Sequence, residues 1–145
     1  MIEINNLTNF SVDKKFFIAV AKKVLKGENR EGENISVAFV SPAEIKKLNK
    51  KYRKKNKSTN VLAFGENSLP TRDLPKGDKF QIPNSKLNSL GEIIICPEVV
   101  KKNGEKLEKM LVHGVLHVLG YDHEKSKKEA IQMEEKEKHY LSMII

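Results

Sequence analysis

Apolar residues recur at two spacings along the chain, and these spacings predict strands and helices that alternate through its first half. Short alternating or continuous apolar runs predict strands at 2–7, 35–40, 61–64 and 91–96. Apolar residues three or four positions apart predict helices at 12–26, 42–51, 97–104, 105–119 and from 126 onward. We therefore expect an α+β fold, a single layered domain over residues 1–145 with a small mixed β-sheet and helices packed on it.

Capping residues mark several of the predicted helix ends. Ser41-Pro42-Ala43-Glu44 combines an N-cap serine, a proline at the first helical position and a capping-box glutamate. The stretch from Ser126 to Glu129 repeats the capping-box spacing before the last helix. Ser11 is the expected N-cap of the first helix, and Gly27 is its expected C-terminal stop.

Residues 65–90 interrupt this regular pattern. They show no clear periodicity and contain Pro70, Pro75 and Pro83. We predict a long surface loop there, with a short strand near 80–82. A loop of this length in a compact domain is usually functional or disordered.

Composition excludes several classes of protein. The 145 residues are 39% hydrophobic and 32% charged, which suits one modest core and argues against intrinsic disorder. The single cysteine, Cys96, excludes a disulfide framework, so we expect no disulfide partner. The amino terminus shows no signal-peptide pattern, and no apolar run is long enough to span a bilayer. We expect a soluble cytoplasmic protein without a membrane segment.

The positive charge is concentrated in one stretch. The chain has 27 Lys and Arg against 19 Asp and Glu, a net charge of +8. Residues 46–57, the basic stretch, contain no acid and account for the whole excess. Its basic residues are Lys46, Lys47, Lys50, Lys51, Arg53, Lys54, Lys55 and Lys57. Ile45, Leu48 and Tyr52 should face the core, which leaves the lysines on the solvent side. Such a surface predicts a polyanionic partner, nucleic acid first and membrane surface second.

Three of the four histidines are clustered near one another. His113 and His117 are four apart on a predicted helix, so both rings project from one face and can share a metal ion. Gly120 can turn the chain out of the helix, and His123 then returns as a third ligand. Three neutral imidazoles leave an open fourth position, the arrangement of a catalytic zinc site. We predict one Zn²⁺ per chain, on a helix that is apolar on most sides and therefore central in the domain.

The spacing of these histidines equals that of the metzincin peptidases, with one difference. Those enzymes place a glutamate directly after the first histidine as general base, whereas this chain has Gly114. We therefore expect metal-assisted hydrolysis with a different base. We also expect a glutamate installed at this position to crowd the open coordination site.

The histidine segment resembles the signature of the YbeY endoribonucleases, the rRNA maturation factors. The matching residues are His113-Gly114-x-Leu116-His117-x-Leu119-Gly120-Tyr121-Asp122-His123. The resemblance continues at 48–64, 90–97 and 130–137, and it covers most of the chain beyond Ile35. Ser58, Gly65 and Lys109 depart from the family pattern, and these departures bear on the substrate groove more than on the metal centre.

The resemblance implies a function for the predicted zinc site. It implies a metal-dependent endoribonuclease that acts on single-stranded RNA in rRNA processing and ribosome maturation, with RNA, rRNA or the ribosome as partner. Water activated by zinc would hydrolyse the phosphodiester bond. Two alternatives stay open: a zinc peptidase that uses the same three-histidine centre, and a non-catalytic ribosome-assembly protein that binds RNA around a structural zinc.

Two further residues are candidates for the chemistry. Arg53 is the candidate for clamping the phosphate, because its planar fork suits bidentate contact and stays charged. The resemblance also implies a functional role for Arg53, and the alternative is one more solvated cation on a basic helix face. Asp122 either orients an imidazole or acts as a base, or it only shapes the turn after Gly120.

Overall fold

The structure is a computed structural model that describes residues 1–65, 89–121 and 126–144. Four strands and five helices lie within these ranges, in an order that alternates at first and then becomes helical. They are β1 (Ile2–Asn6), α1 (Lys14–Gly27), β2 (Asn34–Phe39), α2 (Pro42–Arg53), β3 (Val61–Gly65), β4 (Ser89–Ile95), α3 (Pro97–Lys102), α4 (Leu107–Val118) and α5 (Lys127–Ser142). The predicted α+β class is confirmed.

The sheet is mixed, as the sequence predicts. Its strand order is β1-β2-β4-β3, with β2 parallel to both β1 and β4 and with β3 antiparallel to β4. Val37 in β2 pairs with Ile4 on one side and with Ile93 on the other. Parallel strands are usually buried on both faces, and the two inner strands here follow that rule.

Two apolar clusters cover the two faces of the sheet. On one face, α1 and α4 pack against the strands and α5 packs against α4. The other face packs against α2, where Ile45 and Leu48 meet Leu62, Phe64 and Ile94. The expectation that Ile45, Leu48 and Tyr52 face the core is confirmed, because Tyr52 packs against this second cluster. The helix α4 has partners on several sides: α1, α3, α5, β3 and β4.

Two helix starts follow the predicted capping, and a third does not. The hydroxyl of Ser41 accepts a hydrogen bond from the amide of Glu44 at 3.3 Å, and Ser126 caps α5 in the same way. The prediction that Ser11 caps α1 is wrong. Asp13 is the N-cap, and its carboxylate accepts from the amide of Phe16 at 3.2 Å.

The helix α1 ends at Gly27 as predicted, but Gly27 does not have the left-handed conformation of a glycine stop. The left-handed residue after the helix is Asn29, with φ 60°, and the amide of Arg30 closes the end on the carbonyl of Leu25. Asparagine tolerates this conformation better than most residues. Gly27 is small for another reason, since a Cβ there would lie 2.5 Å from the ring of Tyr140.

Several predicted boundaries shift in the structure. The helix α2 runs to Arg53, two residues beyond its predicted end, and stops at Lys54 in the left-handed conformation with φ 57°. Gly65 and residues 89–90 belong to paired strands rather than to the predicted loop. The rest of that predicted loop, with its short strand at 80–82, lies outside the described residues.

Cys96 follows β4 and is fully buried, and burial raises the pKa of its thiol. No helix in the described ranges is both long and apolar enough to cross a membrane.

Glu92 is a charged residue type inside the core. It lies in β4, opposite Ser36 and Phe64 of the neighbouring strands, and its exposed fraction is 0%. Neither carboxyl oxygen makes a hydrogen bond within the part of the chain that the structure describes. Burial therefore raises the pKa of Glu92 to about 8, because a buried charge without a partner is costly.

This burial predicts a pH dependence of stability. The pKa of Glu92 is raised on folding from about 4.5 to about 8. Its contribution to the free energy of unfolding is therefore complete below pH 4.5 and is lost as the pH rises towards 8. The loss should be at most about 1.4 kcal/mol per pH unit. Glu92→Gln cannot ionise, so its free energy of unfolding should overtake that of the wild type as the pH rises from 5 to 8.

The measurement is urea unfolding of both proteins at several pH values. Glu134→Gln is the control, because the Glu134 side chain is 64% exposed. It should follow the wild-type pH profile. Parallel profiles for the wild type and Glu92→Gln would show that folding does not raise the pKa of Glu92.

Candidate active site

Two histidines lie on the one side of α4 that the core leaves partly open. The buried residues of this helix are Met110, Leu111, Val112, Gly114, Val115, Leu116 and Val118. His113 and His117 are only partly buried, and their ring centroids are 6.2 Å apart at an interplanar angle of 74°. The predicted pairing of these two rings on one helix face is therefore observed.

The end of α4 turns the chain as Gly120 predicts. Gly120 has φ 109°, a conformation that costs glycine little. Its amide donates to the carbonyl of His117 at 3.0 Å, and the amide of Tyr121 donates to that of Leu116 at 3.1 Å. These two bonds form a Schellman motif. Asp122 and His123 follow directly, but both lie outside the described residues, so their predicted roles stay predictions.

The two histidines open into a groove of about 470 Å³. The end of α2 and the segment that leads into β3 contribute one part of its lining, and α4 contributes another. The lining residues are Asn49, Arg53, Lys55, Lys57, Thr59, Asn60, Val61, Leu62, Ala63, Glu105, Lys109, Met110, His113, His117 and Glu137. Arg53 lies 60 or more positions before the two histidines in the sequence, yet all three line the same groove.

Arg53 is held at the rim of this groove. It is the last residue of α2, and one of its Nη atoms donates to the carbonyl of Ala63 at 3.3 Å. The guanidinium carbon lies 6.0 Å from the centre of the Phe64 ring, within the range of a cation–π contact. The side chain remains exposed, so its other donors can meet an anion.

Every lysine and arginine of the basic stretch is exposed, and two of its lysines, Lys55 and Lys57, line the groove. Asparagines hold this segment in place. Asn49 donates to the carbonyl of Lys57 at 2.9 Å, and Asn60 donates to Glu105 at 3.0 Å while accepting from the amide of Val61. Asn60 therefore both lines the groove and fixes the start of β3.

Glu137 is a residue of the groove that the sequence did not reveal as functional. Its Oε1 atom forms a hydrogen bond with Nδ1 of His113. The signal for it lies in α5, where Met133, Glu137 and Tyr140 share one stripe at helical spacing. Met133 and Tyr140 are buried, so an acid between them marks a carboxylate directed at the interior.

A second carboxylate, Glu28 after α1, joins the ends of α4 and α5. It accepts hydrogen bonds from the hydroxyls of Tyr121 and Tyr140 and from Lys136. Burial opposes ionisation of Glu28, but these partners together lower its pKa below the usual range. The bond to Glu28, with burial, raises the pKa of Tyr121 to about 12. Tyr121 therefore anchors the chain just before Asp122.

The donor set of the groove fits a zinc ion as far as it is described. His113 and His117 offer imidazole nitrogens from one face of α4, and Glu137 gives one ring the carboxylate partner that metal-binding histidines usually have. Among the residues that the structure describes, no three His, Cys, Asp or Glu side chains come together as a metal site. The third predicted ligand, His123, lies outside those residues.

Gly114 does not face the groove, which corrects one expectation. A Cβ at this position would lie 2.6 Å from Cγ2 of Ile93 in β4. The prediction that a glutamate here would crowd the coordination site is therefore wrong, because its side chain would run into the sheet. The glycine is needed for the close approach of α4 to β4.

Comparisons with known proteins agree on one family. A family model described as "Endoribonuclease YbeY" matches residues 3–145. Curated proteins of that name are similar to this chain: the one from Persephonella marina is 34% identical over 128 residues, 83% of this chain and 76% of its own length. The one from Bdellovibrio bacteriovorus is 38% identical over 120 residues, 77% and 67% respectively. A solution structure from Thermotoga maritima is similar in fold, with a TM-score of 0.59 and 29% identity over 99% of this chain and 89% of that one.

The packing of Gly114 predicts the effect of substituting it. Alanine would gain about 1 kcal/mol in helix propensity. However, its Cβ would meet three atoms of Ile93 at 2.6, 3.2 and 3.3 Å. Overpacking of this kind typically costs about 1–3 kcal/mol. We expect Gly114→Ala to lower the free energy of unfolding, as measured by urea denaturation, and Gly114→Glu to fail to fold.

Gly65→Ala is the matched control, because among the described residues the nearest atom to its Cβ would be the carbonyl oxygen of Val118, 3.8 Å away. It should change stability much less than Gly114→Ala. A Gly114→Ala protein as stable as the wild type would contradict the close packing of α4 on β4.

Proposed function

The chain belongs to the Endoribonuclease YbeY family, and on that premise we propose that it is a zinc-dependent endoribonuclease. Its substrate would be single-stranded RNA, cleaved in the cytoplasm during rRNA processing and ribosome maturation. The observation that carries the proposal is the groove, which Arg53 and further cations line together with the two imidazoles of α4. Positive groups beside a candidate hydrolytic centre suit a phosphodiester substrate.

His113, His117 and His123 would hold the zinc ion, one per chain. Three neutral nitrogen ligands are a set that zinc takes in catalytic sites. When bound, zinc supplies Lewis acidity and lowers the pKa of water at the site, to about 7 in favourable cases. Asp122, next to His123 in sequence, is the candidate for orienting that imidazole or for taking up a proton.

The remaining groups of the groove would bind and orient the RNA. Arg53 would hold the reacting phosphate through its two-pronged fork, already partly fixed by Ala63 and Phe64. Lys55, Lys57 and Lys109 would hold flanking phosphates, since all three line the same groove. Pre-positioned cations of this kind lower the barrier without moving during the reaction.

Both alternative functions fit the groove less well. A peptidase of the metzincin pattern needs a glutamate after the first histidine, and position 114 instead faces Ile93. A structural zinc site is normally closed by four protein ligands, whereas the two histidines here border an open groove.

The decisive experiment compares cleavage of a short single-stranded RNA by zinc-loaded and chelated protein. We expect cleavage only with zinc. Loss of a residue that only hydrogen-bonds to a metal ligand typically costs up to about 100-fold. His117→Ala removes a ligand itself, so it should lower both zinc affinity and the cleavage rate by more than that. Because the ligands must be neutral, zinc should also be released as the pH falls below about 6.

His139→Ala is the control, because His139 is exposed on α5 and does not line the groove. It should leave both quantities unchanged. RNA binding without cleavage in either state would favour the structural-zinc alternative, and zinc-dependent hydrolysis of casein would favour the peptidase.

A second prediction separates Arg53 from the lysines around it. Arg53→Lys keeps the charge but loses the fork, so it should lower the cleavage rate at saturating RNA about 10- to 100-fold, the equivalent of one charged hydrogen bond. The measurement is single-turnover cleavage across a salt series. An unchanged rate would show that Arg53 is only one more surface cation.

The matched variant changes Lys50 and Lys54 together to Ala. Both are exposed and neither lines the groove. If three or four cations contact phosphates, affinity should fall with salt at a log–log slope of about −2 to −3. The double variant should bind more weakly and with a flatter slope, yet cleave normally at saturation. A severe loss of saturated cleavage would contradict this division of roles.

A further inference from the structure

We infer that Glu137 is a positioning residue, which acts through His113 by fixing the ring nitrogen that this histidine presents to a metal. The inference rests on the proposed function, because it gives the hydrogen bond a purpose only if His113 is a ligand. It adds a residue of α5 to a site that the sequence assigned to α4 and the turn after it.

The contact itself is direct and sheltered from water. Oε1 of Glu137 is hydrogen-bonded to Nδ1 of His113, and both side chains line the groove. Only 12% of the Glu137 side chain and 24% of the His113 side chain are exposed. Water therefore competes weakly for this bond, and the bond can dictate the state of the ring.

The chemistry of the pair selects one tautomer. A carboxylate oxygen only accepts hydrogen bonds, so in the neutral ring of His113 Nδ1 carries the hydrogen and the lone pair lies on Nε2. Nε2 is then the atom able to ligate a cation. A carboxylate behind an imidazole also fixes the ring orientation and makes the ligand nitrogen more basic.

The position of Glu137 on α5 is fixed by its neighbours. Met133 lies one turn before it and Tyr140 one turn after it, with exposed fractions of 1% and 2%. These two side chains anchor α5 to the core, so the carboxylate between them is held against α4. Glu134 on the same helix points outward and pairs with Lys138 at 3.4 Å.

The first test examines the ring in metal-free protein. Nitrogen-15 NMR distinguishes the two imidazole tautomers, and His113→Gln assigns the signal. We expect His113 of the wild type to carry its hydrogen on Nδ1, and Glu137→Ala to lose this preference. Glu134→Ala removes an acid from the same helix and should leave the signal unchanged. A tautomer that does not respond to Glu137→Ala would overturn the inference.

The second test measures zinc affinity by competition with a chromophoric chelator. Glu137→Ala should weaken zinc binding about 10- to 100-fold. Glu137→Gln keeps an acceptor without the charge and should lie between Glu137→Ala and the wild type, so it tests the idea even if Glu137→Ala folds poorly. Complete loss of zinc by Glu137→Gln would overturn the positioning role, because it would make Glu137 itself a ligand.

Tyr140→Phe distinguishes a positioning role of Glu137 from a role in the stability of α5 alone. The Tyr140 hydroxyl ties α5 to Glu28 and does not line the groove. Tyr140→Phe should lower the thermal stability yet reduce zinc affinity far less than Glu137→Ala does, because the buried ring still anchors α5. A loss of zinc affinity equal to that of Glu137→Ala would overturn the inference. The two hypotheses fail differently: absence of zinc binding by the wild type would refute the proposed function, whereas wild-type zinc binding that Glu137→Ala leaves unchanged would refute the inference alone.

Discussion

The close contact between α4 and β4 is the constraint on which the rest of the structure depends. With only a hydrogen at position 114, the helix can lie directly on Ile93, and its apolar residues fill the space between α1, α5 and the sheet. The side left over is where His113 and His117 emerge, beside the ends of α2 and β3. The groove is thus a consequence of how the core is filled, and the residues that bury α4 also aim its two imidazoles.

The same logic shows which features the sequence could reveal. Features set by neighbours in the chain were predicted correctly: the serine caps of α2 and α5, the turn at Gly120 and the i, i+4 pairing of the histidines. In each case the interacting groups lie within a few residues of one another, so residue type and spacing carry the information.

Features set by distant partners were missed or misread. Gly27 and Gly114 were interpreted locally, as a helix stop and as a missing catalytic acid, but each makes room for a residue of another element. Glu137 was overlooked because its partner, His113, is 24 positions away on another helix. The periodicity within one helix does not indicate which residues of other elements pack against it. The only sign of such a contact in the sequence is an acid or a glycine within an otherwise apolar stripe.

Three buried or partly buried carboxylates show that the same chemical group can have different roles, depending on its surroundings. Glu92 has no partner among the described residues, so burial favours its neutral form. Its main effect is to make the stability of the protein depend on pH. Glu28 has three donors, which outweigh its burial and lower its pKa, and it fastens the end of α4 to α5. Glu137 meets a single imidazole at the edge of the groove.

The last two carboxylates connect α5 to α4 and to the turn that follows it. Glu28 is hydrogen-bonded to Tyr121, just beyond the end of α4, and Glu137 is hydrogen-bonded to His113, near the middle of α4. Tyr140, one turn beyond Glu137 on α5, binds Glu28 as well, so the two contacts share one helix. A shift of α5 would therefore disturb the ring of His113 and the exit of the chain towards Asp122 together. In this arrangement α5, which carries no predicted ligand, holds the geometry on which any metal bound by α4 would depend.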